Sequence, residues 1–183
     1  VGSEMCIRDS YGPKGIGALV IREGFPLEPS QYGGGQELGL RSGTLPVPLI
    51  VGFAKAVEIT KNDQDERNKR LLFFRNLLLS GLKKNISGLI VNGSIDQRLP
   101  HNLNITFPGV KGSQLHGQLR RFIFCTSGSA CSNGEASHVL QEIGLSKKDA
   151  EASIRMSIGR NTTEKDINKA INIITNIVIN LRQ

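Results

Sequence analysis

The chain has 183 residues, a length typical of about one domain. Hydrophobic residues make up 38% of the sequence and charged residues 21%, which excludes an intrinsically disordered chain. No apolar run approaches the roughly 20 residues that a membrane-spanning helix needs, so no membrane role is predicted. Three cysteines exclude a disulfide scaffold and favour a reducing, cytoplasmic setting.

The first ten residues differ in character from the rest. Residues 1–10 (VGSEMCIRDS) have neither helical nor strand periodicity, and they resemble a translated adapter or vector sequence. We interpret them as a non-native segment and exclude them from the fold prediction. Cys6 falls in this segment, so Cys125 and Cys131 are the cysteines that remain for the native protein.

Residues 11–45 combine a strand with a long loop. The sequence IGALVIR at 16–22 is rich in β-formers and follows a Gly-Pro-Lys-Gly turn. Residues 25–46 are rich in Gly, Pro and Ser, and a loop of that length usually serves a function or an interface. The strand has no predicted neighbour in this chain, so we expect the sequence to be the C-terminal piece of a larger protein.

Residues 46–85 have helical periodicity, with apolar residues such as Phe53, Phe74 and Leu78 at helical spacing. The polar stretch at 61–70 predicts a kink or a break between two helices. We expect a domain boundary after this helical stretch, near residue 86.

Residues 86–183 alternate between strands and helices, which predicts a compact α/β domain. The last helix begins at Thr163, and Asp166 stands at the spacing of a capping box. The predicted strands are 89–92, 102–107, 122–126 and 153–158, and the predicted helices before the last one are 112–121 and 137–143.

The segment 125–138 (CTSGSACSNGEASH) contains the strongest local signal for chemistry. Cys131 stands among small polar residues after a predicted strand, where a thiol is reachable. An unreactive surface cysteine is the alternative. Cys125 closes an apolar run, which is typical of a small buried hydrophobe. The two cysteines lack a second Cys or His pair, so a structural zinc site is not predicted.

Two weaker signals concern anions. The segment 33–44 (GGGQELGLRSGT) combines glycine amides, hydroxyls and an arginine, which suits an anion cradle, although Gly-rich loops are common. Arg155 alternates with Ile154 and Met156, so it leaves the strand on the face opposite those apolar residues. Arginine suits bidentate capture of a carboxylate, and a solvated sheet face is the alternative. The three histidines, His101, His116 and His138, show no metal-binding spacing.

Six motifs occur together in one order. They are YGPKGIGAL at 11–19, GGGQELGLRSGT at 33–44, PHNLNITF at 100–107, SGSACS at 127–132, SHVL at 137–140 and SIRMSIGR at 153–160. From Tyr11 to Gln183 the chain closely resembles the C-terminal half of the pyridoxal-phosphate cysteine desulfurases that feed iron–sulfur cluster assembly.

The resemblance implies an α/β fold, that of a fold-type I pyridoxal-phosphate transferase. Residues 11–45 would be the end of the large cofactor-binding domain with an interface loop. Residues 46–85 would be a long helical connection, and 86–183 the small C-terminal domain. The enzyme would remove sulfur from L-cysteine, giving L-alanine and an enzyme persulfide.

The resemblance also implies roles for individual residues. Cys131 would be the nucleophile that holds the sulfur as a persulfide, and this persulfide would serve as an iron–sulfur ligand during assembly. Arg155 would hold the substrate carboxylate. Thr44 would reach across a homodimer to the phosphate of the partner subunit's cofactor. An iron–sulfur scaffold or another sulfur acceptor would be the partner protein.

The chain departs from the family pattern at the cofactor lysine. The family places this lysine two residues before the Tyr-Gly-Pro-Lys-Gly stretch, after a histidine, and here Asp9 and Arg8 occupy those positions. Lys14 is the lysine of the turn and not the cofactor lysine. The family's N-terminal half is also missing. We therefore expect this fragment alone to be inactive.

Two alternatives remain open. A selenocysteine lyase or another pyridoxal-phosphate enzyme of the same fold would share most of the motifs, although Cys131 argues against an aminotransferase, which needs no thiol. A basic nucleic-acid-binding module would fit the net charge of +7. Aromatic residues are only 5%, however, and no recognised binding motif is present, so no nucleic acid is predicted as a partner.

Overall fold

A computed structural model describes the backbone of residues 3–6 and the whole of residues 11–123, 125–126 and 136–183. It divides into two compact units, Val1–Asp65 and Glu66–Gln183. The division falls within the long helix and not near residue 86, where the sequence suggested a boundary. The reason is that the second half of this helix buries its apolar side chains with the C-terminal unit.

The N-terminal unit contains a two-stranded antiparallel ladder. Strand β1 (Ser3–Cys6) pairs with β2 (Gly17–Val20), so that Cys6 lies opposite Gly17. The expectation that the predicted strand lacks a partner in this chain was therefore wrong. Ladder hydrogen bonds join backbone groups, and an extended segment without strand-like periodicity can supply them. One turn of 3-10 helix follows at Glu37–Gly39.

Helix α1 (Val47–Asn85) is continuous over 39 residues, so the predicted break at 61–70 is absent. That stretch contains no Pro or Gly, the residues that most often break or kink a helix. Its charged side chains lie instead along a largely exposed section of the helix. Further along, Leu71, Phe74, Leu78 and Leu82 form a buried stripe.

The C-terminal unit is built on a three-stranded antiparallel sheet in the order β3–β4–β5. These strands are β3 (Ile90–Val91), β4 (Asn102–Thr106) and β5 (Ser153–Ser157). Three of the four predicted strands are thus confirmed in shorter form. The fourth, at 122–126, is reduced among the described residues to a single bridge between Thr126 and Arg155.

Four helices accompany this sheet among the described residues: α2 (Gly112–Leu119), α3 (His138–Glu142), α4 (Lys147–Glu151) and α5 (Glu164–Arg182). The sequence analysis missed α4, a single capped turn too short to show periodicity. The predicted capping box of α5 is confirmed, because the Thr163 and Asp166 side chains each accept a hydrogen bond from the other residue's backbone amide. No helix in the described part of the chain is long and apolar enough to span a bilayer.

The two faces of the sheet differ sharply. Across β4 and β5, Leu103 lies opposite Met156 and Ile105 lies opposite Ile154, and all four belong to the buried core. Because strand side chains alternate, the intervening pairs occupy the other face. Those pairs are polar: Asn102 with Ser157, Asn104 with Arg155, and Thr106 with Ser153.

Candidate functional site

The glycine-rich loop of the N-terminal unit is held by its own side chains. The Oγ atom of buried Ser42 accepts a hydrogen bond from the Gly35 amide at 3.3 Å, and Gln36 Oε1 accepts one from the Gly43 amide at 2.9 Å. These two amides are therefore not available for the predicted anion cradle. Thr44, at the end of this segment, is exposed, and its hydroxyl can donate a hydrogen bond to an anion.

The tip of the same loop is strained. Glu37 and Leu38 both adopt left-handed backbone conformations, with φ of 53° and 57°. For residues other than glycine such conformations cost about 1–3 kcal/mol each and persist where the surroundings enforce them. The Leu38 side chain is 99% exposed. The loop thus presents an apolar tip a few residues from Thr44.

Arg155 lies where the alternation of β5 predicted. Its neighbours Ile154 and Met156 are buried in the core, whereas Arg155 is half-buried on the opposite, polar face of the sheet. Asn104 lies directly across on β4. The guanidinium therefore leaves the sheet on the face that also carries amide and hydroxyl side chains.

The backbone of Arg155 pairs with the start of the cysteine segment. The Arg155 amide donates to the Thr126 carbonyl at 2.9 Å, and the Thr126 amide donates to the Arg155 carbonyl at 3.3 Å. Cys131 follows five residues later and lies outside the described residues. Beyond this gap Ser137 caps α3 by accepting a hydrogen bond from the Leu140 amide. The described residues on both sides of the segment are thus fixed in the C-terminal unit.

A buried polar network lies beside Arg155. Asn92 Nδ2 lies 2.8 Å from Asn104 Oδ1 and 2.9 Å from Thr106 Oγ1. The hydroxyls of Thr106 and Ser153 are 2.7 Å apart, and Ser153 Oγ lies 2.7 Å from the Asp149 carbonyl oxygen. The sequence alone does not predict this network. Its signal in the sequence is the alternation of Asn104 and Thr106 with apolar residues along the predicted strand 102–107.

Cys125 lies in a setting unlike that of a reactive thiol. It is half-buried and packs against the hydrophobic core of the C-terminal unit. Burial raises the pKa of the Cys125 thiol because a thiolate loses its hydration there. The thiolate is the nucleophilic form, so this environment disfavours reaction at Cys125.

His116 on α2 has a structural environment. Burial lowers its pKa, and backbone hydrogen bonds with Glu151 and Ser153 oppose that effect only in part. Its Nε2 atom is buried without a hydrogen-bond partner in the described part of the chain. Neither this histidine nor any other described residue belongs to a cluster of three or more His, Cys, Asp or Glu side chains that could hold a metal ion.

Comparison with known proteins identifies the family. Residues 9–170 match the class-V aminotransferases, and the chain belongs to that family. The cysteine desulfurase IscS of Vibrio vulnificus strain YJ016 is 46% identical over 176 residues, which cover 94% of this chain and 43% of that protein.

Two solved structures are similar as well. A NifS-like protein has a TM-score of 0.84 and 34% identity, over 98% of this chain and 47% of that one. DndA from Streptomyces lividans has a TM-score of 0.67 and 36% identity, over 85% of this chain and 46% of that one. The chain therefore spans less than half the length of the relatives that it matches.

The class-V aminotransferases and cysteine desulfurases that the chain matches depend on pyridoxal phosphate. The described residues fit this cofactor only in part. Thr44 offers an exposed hydroxyl to a phosphate, but the amides of Gly35 and Gly43 are bonded within the loop. On the family pattern described above, Asp9 would stand at the position of the attachment lysine, and a carboxylate cannot form that link. The residues that the structure describes do not by themselves complete a cofactor site.

Proposed function

We propose that this chain is the C-terminal part of a cysteine desulfurase, in which Cys131 accepts sulfur from L-cysteine and Arg155 holds the substrate carboxylate. The main support is the backbone pairing of Thr126 with Arg155. Five residues span at most about 17 Å, so the Cys131 thiol can reach a substrate held at Arg155. The same tether allows it to carry sulfur away from the strand afterwards.

The exchange that Cys131 performs is balanced in atoms. L-cysteine and the Cys131 thiol give L-alanine and a Cys131 persulfide, as a sulfur–sulfur bond replaces the substrate's carbon–sulfur bond and a hydrogen takes the place of the sulfur on carbon. In the complete enzyme pyridoxal phosphate supplies the electron sink for this chemistry. The persulfide then passes its outer sulfur to an acceptor, such as an iron–sulfur scaffold, or serves as an iron–sulfur ligand there.

Arg155 suits the carboxylate because of its position. Its half-buried guanidinium lies on a sheet face that is otherwise neutral, and a planar fork of donors matches the two oxygens of a carboxylate. Losing such a contact in a desolvated site costs on the order of 2–5 kcal/mol.

The test uses the full-length parent enzyme, with the missing half and the cofactor lysine restored. Arg155→Ala should raise KM for L-cysteine about tenfold or more while cofactor binding is retained, and Arg155→Lys should recover only part of the loss. Arg160→Ala, at the end of the same segment, is the matched control and should affect turnover less. Unchanged kinetics with a loss of stability would make Arg155 a structural residue.

Thr44 is proposed to contact the cofactor phosphate of the partner subunit in a homodimer. The strained loop with its exposed apolar tip supports an interface at this place. Mixed dimers test the proposal. A Thr44→Val subunit and an Arg155→Ala subunit, each impaired alone, should form one intact site and recover activity when combined. No recovery in the mixed dimer would show that Thr44 acts within its own subunit.

A further inference from the structure

The motif at 100–107 brings one amide side chain next to Arg155. The Asn104 carbonyl accepts a hydrogen bond from the Asn92 amide at 3.0 Å, and both backbone groups of Arg155 bond to Thr126. Asn104 and Arg155 therefore face each other as a non-hydrogen-bonded pair of the antiparallel ladder. In such pairs the Cα atoms lie about 4.5 Å apart, and the side chains approach more closely than at the neighbouring positions.

The amide group of Asn104 has a defined orientation. Its Oδ1 accepts the hydrogen bond from Asn92 Nδ2 at 2.8 Å, so its NH₂ group is directed elsewhere. The described residues offer that NH₂ group no acceptor, and Asn104 is half-buried, with one part open to solvent. A neutral N–H donor therefore belongs to the residue directly opposite Arg155, on the same face of the sheet.

The residue that orients Asn104 is itself locked. Asn92 is buried, and its Oδ1 accepts a hydrogen bond from Thr106 Oγ1 at 3.0 Å. Thr106 and Ser153 are fully buried and bonded to each other. Buried polar groups of this kind need every partner in place, so such networks are rigid. This network holds the side chain of Asn104, the member that lies directly opposite Arg155.

We propose that Asn104 is a second donor to the substrate carboxylate, beside Arg155, and that Asn92, Thr106 and Ser153 are positioning residues that hold its amide. The inference rests on the proposed role of Arg155. A carboxylate has about four acceptor sites, of which a bidentate guanidinium takes two. The Asn104 N–H group can take a third. Arg155 would neutralise the charge of the carboxylate, and the two side chains together would set the orientation of the amino acid.

The experiment measures substrate binding in the full-length parent enzyme. Asn104→Ala should raise KM for L-cysteine and the Kd for the product L-alanine, measured by calorimetry, each by about tenfold, because the lost hydrogen bond goes to a charged group. The matched control is Asn102→Ala. Asn102 lies on the same strand and face, opposite Ser157, and the described structure gives its side chain no hydrogen bond. This control should leave both constants unchanged.

Two further variants separate binding from folding. Asn104→Asp keeps the shape and the acceptor for Asn92 but replaces the donor with an anion, so it should weaken L-alanine binding more than Asn104→Ala does. Thr106→Val removes only the hydroxyl that orients Asn92, and it should raise KM by a smaller factor with kcat retained.

The outcomes distinguish this inference from the proposed function. If KM for L-cysteine and Kd for L-alanine rise in both Arg155→Ala and Asn104→Ala, the proposed function and the role of Asn104 are both supported. A raised KM in Arg155→Ala with none in Asn104→Ala overturns the role of Asn104 alone. If KM and Kd are unchanged in Arg155→Ala, Arg155 does not bind the substrate carboxylate, and the proposed function is wrong on that point. Lower stability of Asn104→Ala with unchanged KM and Kd would make Asn104 a structural member of the network.

Discussion

The two halves of helix α1 share one helical periodicity but have different surroundings. In the first half Val47 and Val51 are exposed, the latter by 62%, and Phe53 is the single buried apolar side chain among the described residues before Glu66. In the second half the stripe from Leu71 to Leu82 enters a core of some twenty buried residues. Helical periodicity alone therefore does not tell which half of a long helix is covered by the rest of the chain.

The contrast extends to the two units. The C-terminal unit has a hydrophobic core that joins its sheet and helices. The N-terminal unit exposes large apolar side chains, Leu19, Val20, Phe25, Tyr32 and Leu38 among them. Exposed apolar side chains are typical of an interaction site where they form one contiguous patch. The chain spans less than half the length of the relatives that it matches.

The largest expected effect tests where the stability of the chain resides. Phe107 is fully buried in the C-terminal core, and Phe107→Ala should lower the free energy of unfolding by about 3–5 kcal/mol. Val51→Ala, in the exposed half of α1, should change it by less than about 0.5 kcal/mol. Urea unfolding followed by circular dichroism measures both. Equal losses in the two variants would contradict the contrast between the two units.

A second pair of variants tests how closely the C-terminal unit is packed. A Cβ atom at Gly112 would overlap the Glu151 backbone carbonyl, whereas one at Gly117 would meet no atom within 4 Å. Both glycines lie on α2. Gly112→Ala should destabilise by about 3 kcal/mol, because the backbone must move. Gly117→Ala should stabilise by up to about 1 kcal/mol, through helix propensity. Thermal unfolding compares the two variants. Destabilisation by Gly117→Ala would contradict the open space that surrounds this position.

The features that the sequence predicted are local ones. The capping box depends on Thr163 and Asp166, three residues apart, and the orientation of Arg155 depends on alternation with its immediate neighbours. Both follow from backbone geometry that a short segment determines by itself. The sequence also predicts that Cys125, at the end of an apolar run, is a small buried hydrophobe. Its packing against the core agrees with that prediction.

The features that the sequence did not predict depend on distant residues. The second strand of the N-terminal ladder comes from a segment without strand periodicity. The Asn92 network joins residues up to 61 positions apart, and nothing near Asn92 indicates which hydroxyls will meet it. The continuity of α1 could have been predicted, because the polar stretch at 61–70 lacks any helix breaker. The polarity of this stretch indicates exposure and not a break in the helix.

Thiol labelling extends the comparison to the cysteines. In a Cys6→Ser variant of the chain, a limiting amount of alkylating reagent should modify Cys131 in preference to Cys125, because burial raises the pKa of the Cys125 thiol. Peptide mapping identifies the labelled residue. Cys125 should become reactive only in denaturing urea, when the core opens. Preferential labelling of Cys125 in the native protein would contradict both its burial and the proposed role of Cys131.

The smallest expected effect is a pH dependence from His116. Burial holds its pKa below the ordinary value of 6.5 in the folded chain, so at intermediate pH the unfolded chain binds a proton that the folded chain does not. The contribution of neutral His116 to the free energy of unfolding is therefore fully present above about pH 6.5. It is lost as the pH falls from that value toward the pKa of the folded state. The urea midpoint should fall between pH 7.5 and 5.5, and His116→Gln should reduce that fall. The exposed His138 provides the matched control, and His138→Gln should leave the pH dependence of the native chain unchanged. An equal pH dependence in the His116→Gln variant would assign the effect to other groups.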